Sequence, residues 1–160
     1  MIYEISGEEF VRVAQIALEH HNNKVKLGAK DLKHNEKLTG YELHLIGLLG
    51  ELAVAKATGG KVQTKLLAGS DGGVDMVIDG EPVQIKTFRY TGRDRWFYVD
   101  DMSRFTCQTC YCCRYHSPCK VEVVGKIDRD VFKSLAIWRN LGYGERLCVP
   151  ESALRPLDLP

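Results

Sequence analysis

The sequence predicts a single α/β (α+β) domain, a mixed β-sheet with helices packed on its faces. Three observations predict it. Two N-terminal segments open on capping boxes and continue with apolar residues at helical spacing. A succession of short apolar or alternating segments follows, punctuated by Gly, Pro and Asp-Gly, and a helix start comes after them. The chain, with 160 residues and 44% hydrophobic content, is long enough for one domain with a real core and too short for two ordinary ones. Residues 1–160 are therefore read as one domain without repeats, low-complexity tracts or linkers.

The elements follow in order. Ser6-Gly7-Glu8-Glu9 is a capping box, and Phe10, Val13, Ala14, Ala17 and Leu18 recur at helical spacing, which predicts a helix over about 7–21. A polar, basic loop runs to about residue 38. Thr39-Gly40-Tyr41-Glu42 is a second capping box, opening a helix with Leu43, Ile46, Gly50, Ala53, Val54 and Ala57 on its apolar face. Gly59-Gly60 ends that helix, and the small residues Gly47, Gly50, Ala53 and Ala57 let it lie close to a sheet. Strands are expected near 61–66, 73–78, 82–88, 95–99, 107–115 and 119–127. Asp128 is expected to cap a helix through about Asn140, with Gly142 and Gly144 breaking it before a last strand at 146–149.

The net charge of +1 offers no global attraction to nucleic acid, but the charge is uneven. Lys24, Lys26, Lys30, Lys33 and Lys37, against Asp31 and Glu36, form one basic segment, read as solvated surface. Lys86, Arg89, Arg93 and Arg95, against Asp94, form another, with Phe88, Tyr90 and Trp96 interleaved; here a phosphate backbone would be gripped. No run reaches the length of a membrane helix, and Met1-Ile2-Tyr3-Glu4 lacks the basic and apolar parts of a secretory signal. A soluble, cytoplasmic protein is expected.

The chemistry concentrates around a predicted hairpin. Gly73 to Thr87 reads as a strand, a tight Asp79-Gly80 turn and a second strand. This brings Asp75 beside the triplet Gln84-Ile85-Lys86, whose Gln84 and Lys86 share a face while Ile85 packs on the other. Asp71 and Asp79 are nearby acids, the first in a Gly-Ser-Asp-Gly-Gly loop and the second in the turn. Upstream lies Gly47-Leu48-Leu49-Gly50-Glu51-Leu52-Ala53-Val54-Ala55, and downstream Val121-Glu122-Val123-Val124-Gly125-Lys126-Ile127.

These three stretches, in this order, resemble the PD-(D/E)XK nuclease superfamily over roughly residues 40–157, with Gln84 where the commoner pattern has Glu. The resemblance implies a restriction-endonuclease-like core and a nuclease using Mg²⁺ or Mn²⁺ to hydrolyse DNA. It also implies a phage or mobile-element origin, and host cytoplasm as the location for a phage protein. On this resemblance Asp75 is the central metal ligand, and Glu51 binds metal directly or through water. The Ile85 carbonyl and the Gln84 oxygen complete the set, and Lys86, over the same face, orients water or neutralises the phosphate. A non-catalytic nucleic-acid-binding module on the same fold and an RNA-cleaving enzyme are the alternatives. Monomer and homodimer both remain open.

Five of the six cysteines fall between Cys107 and Cys119. Cys107, Cys110, His116 and Cys119 have spacings suited to structural Zn²⁺. The competing expectation is a buried strand in which reduced cysteine acts as a small hydrophobe, turning at His116-Ser117-Pro118. His20 and His21 are read as closing the first helix, where cations suit the dipole. Structural roles are expected for both, for His44, and for Trp96 and Trp138.

Overall fold

The structure, a computed structural model, describes residues 1–26, 28, 39–62, 73–89, 95–142 and 144–157. Strand β1 (Ile2–Glu4) precedes helices α1 (Gly7–Lys26) and α2 (Gly40–Thr58). Strands β2 (Met76–Ile78), β3 (Glu81–Arg89) and β4 (Trp96–Val99) follow, then β5 (Thr109–Ser117) and β6 (Lys120–Asp128). The chain continues through α3 (Arg129–Leu135), β7 (Ile137–Asn140) and β8 (Glu145–Pro150). The fold is thus mixed α/β, as expected, but with two sheets: a five-stranded one ordered β1-β6-β5-β3-β2 and a three-stranded one ordered β4-β8-β7.

Both capping boxes form. The Ser6 N–H donates to Glu9 Oε2 at 2.8 Å and the Glu9 N–H to Ser6 Oγ at 3.2 Å. The Thr39 and Glu42 side chains exchange the same bonds at the start of α2. Helix α1 runs on to Lys26, so His20 and His21 lie inside it rather than closing it. Its buried line is Val13 and Ala17, while Leu18, expected on that face, is 49% exposed. Helix α2 ends at Gly59, whose left-handed φ of 74° suits glycine.

Helix α2 is buried on more than one side. Besides the expected Ile46, Gly50, Ala53 and Val54, it buries Leu48 and Leu49, because α1 covers it from outside while the large sheet lies beneath. The close approach to the sheet is made at Gly50, where an added Cβ would stand 1.8 Å from Thr87 Oγ1; Gly47 faces open space and makes none.

Helices were expected on both faces of one sheet, yet α1 and α2 cover only one. The other face is covered by the small sheet and α3, around a second core of Phe97, Val99, Phe105, Cys110, Cys112, Ile127, Phe132 and Val149. Aromatic contacts knit this core, with ring centroids 5.4 Å apart for Phe97–Phe132 and 5.2 Å for Phe105–Phe132. The helix expected from Asp128 to Asn140 stops at Leu135. Ala136 is extended, and Ile137 to Asn140 pair antiparallel with β8. Asp128 makes no capping bond; its carboxylate instead accepts from Thr109 Oγ1 at 3.3 Å and Arg155 Nη2 at 2.6 Å.

The Asp79-Gly80 turn forms with φ of 52° and 85°, the positive pair that a two-residue hairpin needs. Strand β2 is shorter than expected, and β1 was not foreseen. Lys61 and Val62 are not strand, and the rest of the strand expected at 61–66 lies outside the described residues. So do residues 27 and 29–38 of the expected loop, with Lys30, Lys33 and Lys37, and Asp71, Tyr90, Arg93 and Asp94.

Candidate active site

Strand β3 is the spine of the site. It pairs antiparallel with β2 only from Glu81 to Val83, and parallel with β5 from Val83 to Arg89. Past Val83 the edge away from β5 is therefore taken by the segment before β2. The Asp75 N–H donates to the Val83 carbonyl at 3.0 Å, and the Ile85 N–H donates to Asp75 Oδ2 at 2.6 Å. A carboxylate thus replaces a ladder carbonyl at this point. The N–H and C=O of one strand residue leave the same edge, so the Ile85 carbonyl points the way its N–H does, toward Asp75. One acidic side chain and one backbone carbonyl, both hard oxygen donors, come to the same edge.

The segment carrying Asp75 is held from below. The Gly73 carbonyl accepts from Thr106 Oγ1 at 2.8 Å and from Cys107 Sγ at 3.4 Å. Gly73 has φ 78°, and a Cβ there would stand 2.2 Å from Thr106 Oγ1, so both its backbone and its contact require glycine.

The alternation along β3 is as expected. Val83 and Ile85 lie in the core beneath α2 and Thr87 meets Gly50, while Gln84, Lys86 and Phe88 face the other way. Gln84 is 4% exposed, the only buried polar side chain among the described residues. Its Nε2 donates to the Arg104 carbonyl at 2.9 Å, and its Oε1 accepts from the Thr106 N–H at 3.4 Å. The amide therefore pairs with the loop backbone as another peptide group would, an engagement that a metal ligand would have to give up. A 3₁₀ turn over Met102–Arg104, capped by Asp101, presents that loop. Hydrogen bonds from the Ser103 hydroxyl and N–H hold the Asp101 carboxyl below its ordinary range.

Lys86, on the face of Gln84, is half-buried, and its ammonium has no hydrogen-bond or ion-pair partner among the described residues. Glu51 follows Gly50 on α2 and is also half-buried. Burial foremost, with the neighbouring Cys110 and Glu51 adding to it, pushes the Cys113 thiol up, which places Glu51 close to the sheet at β5. Glu51 thus approaches from the α2 face and Lys86 from the opposite one, with Asp75 at the edge between them. This differs from the expectation that all of them crowd one face.

The cysteines take the strand alternative. Cys110 and Cys112 are buried in the second core and Cys113 in the first, with Cys113 Sγ donating to the Gly50 carbonyl. Cys107 precedes the nine-residue β5 and exposed Cys119 follows it, so they stand roughly 30 Å apart at strand rise. His116 bonds Glu122 at 2.9 Å. Cys107, Cys110, His116 and Cys119 do not converge, and no group of three metal-ligating side chains forms among the described residues.

The second basic segment divides as well. Arg89 lies near Glu42 and Tyr115, whereas Arg95 pairs with Glu151 at 3.5 Å and Trp96 lies under Arg139. Sequence reasoning missed the loop around Arg104 and Thr106, because nothing local links it to Gln84. It also missed that His44 comes within 6.2 Å of His20 and 6.3 Å of His21, ring centroid to centroid. No family model and no curated protein matches the chain. Among the described residues, no helix is long and apolar enough to cross a membrane.

Proposed function

We propose that this protein is a metal-dependent nuclease hydrolysing phosphodiester bonds of DNA in the cytoplasm. The observation that carries the reading is the Asp75 carboxylate anchored on the Ile85 N–H at the edge of β3, one residue from the Lys86 ammonium, which has no partner among the described residues. Asp75, Glu51 and the Ile85 carbonyl are the hard oxygen donors that suit Mg²⁺ or Mn²⁺. When bound there, the ion would supply charge stabilisation for the scissile phosphate and the leaving oxygen. Asp75 is preoriented by the Ile85 N–H, which fixes one carboxylate oxygen without help from substrate. Lys86 orients the attacking water or neutralises charge developing on the phosphate. Gln84 supports the site by holding the 104–106 backbone beneath it.

The test is incubation of purified protein with single-stranded, double-stranded and branched DNA and with RNA, in Mg²⁺, Mn²⁺ or EDTA. Metal-dependent DNA cleavage, lost in EDTA and lowered about a hundredfold in Lys86→Ala, is the expected result. Folded protein that cleaves none of these substrates overturns it. The engaged amide of Gln84 favours one second reading, a non-catalytic nucleic-acid-binding module, for which binding without cleavage in either metal is the signature.

A further inference from the structure

Helix α1 carries apolar side chains that the fold does not bury. Val11, Leu18 and Val25 are 65%, 49% and 64% exposed, while Val13 and Ala17 fill its buried side. The three recur every seven residues. Such a step returns to nearly the same face of a helix, drifting by about 20°, so they form one stripe about 21 Å long. Single apolar residues are ordinary on a surface, but a stripe at this period is the pattern of a seam between two helices.

The charges beside the stripe are ordered as well. Glu8, Arg12, Glu19 and Lys26 are exposed, and none has an ion-pair partner among the described residues. At 3.6 residues per turn all four fall on one flank of the stripe, about 80° to 120° round the helix from Leu18. Glu9, the other acid of the first turn, is held by Lys56 at 2.7 Å.

An antiparallel copy of α1 related by a two-fold axis turns this flank toward its own counterpart. In the register that sets Gln15 level with Leu18 of the second copy, Glu8 comes one residue from that copy's Lys26, and Arg12 two residues from its Glu19. Each pair occurs twice. Opposite charges then lie within about 3 Å of each other along the axis, whereas like charges stay about 7.5 Å apart or more. In the same register the six apolar side chains of the two copies interleave at alternating three- and four-residue steps, as knobs-into-holes packing requires. The acidic start of each helix also meets the basic end of the other, which suits their opposed dipoles.

We infer that α1 docks on α1 of a second copy of this chain, antiparallel and in this register. The charge pattern selects a copy over an unrelated partner, because the same four residues supply both halves of every pair. The inference is independent of the chemistry at Asp75.

The test is sedimentation velocity of the full chain from about 1 to 100 µM, with helix content followed by circular dichroism. A dimer should form within that range. Leu18→Glu puts a charge in the middle of the stripe at a position exposed in the single chain, so the fold should be kept and the dimer lost. Glu8→Lys and Lys26→Glu each set like charges side by side and should weaken the dimer about tenfold. Combined in one chain they restore opposite signs, and the dissociation constant should return close to that of the wild type. A wild type that stays monomeric to the top of the range, a dimer untouched by Leu18→Glu, or a double variant no tighter than the single ones would each overturn the inference.

Discussion

The two faces of β3 are built on different limits. Toward α2, Val83 and Ile85 enter an apolar core and Thr87 presses on Gly50, with its Oγ1 buried and without a hydrogen-bond partner among the described residues. Toward the small sheet, Gln84 spends both ends of its amide on loop backbone, and Lys86, two residues on, has no partner among the described residues. Volume limits the first face and hydrogen bonding limits the second. Two polar residues of one face, in one triplet, thus have opposite situations: Gln84 is satisfied and fixed, and Lys86 is left available to a ligand. What each can do follows from the partner it meets more than from its type.

The largest expected effect lies at the edge between the faces. Asp75→Asn keeps an oxygen to accept from Ile85 and loses the anionic donor, so cleavage should fall by about a hundredfold or more while the melting temperature barely moves. Asp75→Ala should lose the same activity and, in addition, about 1 kcal/mol of stability with the hydrogen bond. An Asp75→Asn protein as active as wild type would remove the edge from the chemistry.

The packing face is probed at Gly50. Gly50→Ala drives a methyl group into Thr87 and should cost about 1–3 kcal/mol in a denaturant titration. Thr87→Ala removes the clashing atoms and a buried hydroxyl without a partner among the described residues, so most of that loss should vanish in the double variant. Additive losses would show that the helix and strand are not in contact there.

On the hydrogen-bonding face, Gln84→Glu sets the two roles of that position against each other. An ionised carboxylate cannot donate to the Arg104 carbonyl, so roughly 1–3 kcal/mol should be lost at neutral pH. The deficit should shrink in acid, where the protonated carboxyl regains a donor. If Mg²⁺ instead restored the variant to wild-type stability at neutral pH, position 84 would be a metal ligand.

The smallest effect belongs to Glu122. Burial pushes its carboxyl up, but the His116 bond and the Arg114 charge outweigh that and hold it below the ordinary range. A depressed carboxyl stabilises the fold above its unfolded value, and the contribution is lost as pH falls through the folded one. Glu122→Gln should therefore flatten the acid limb of the stability curve slightly, by well under ~1 kcal/mol after solvent screening. An unaltered acid limb would show the ion pairs to be cosmetic.

Several features were legible in the residues alone: both capping boxes, the Asp79-Gly80 hairpin, the alternation of β3, the burial of the cysteine strand and the mixed α/β class. Each depends on groups within a turn or a few strand residues of one another, where geometry is set by the local backbone. The candidate site was legible to the same depth, as an acid delivered beside the Gln84-Ile85-Lys86 triplet. Only the tertiary structure decided that Ile137 and Trp138 leave the expected helix, since their strand needs β8 as a partner. It alone brought Arg104 and Thr106 to Gln84, put Glu51 and Lys86 on opposite faces, and kept Cys107 and Cys119 apart. These outcomes rest on contacts between residues distant in sequence, whose energies are comparable to local preferences and leave no local periodicity to read.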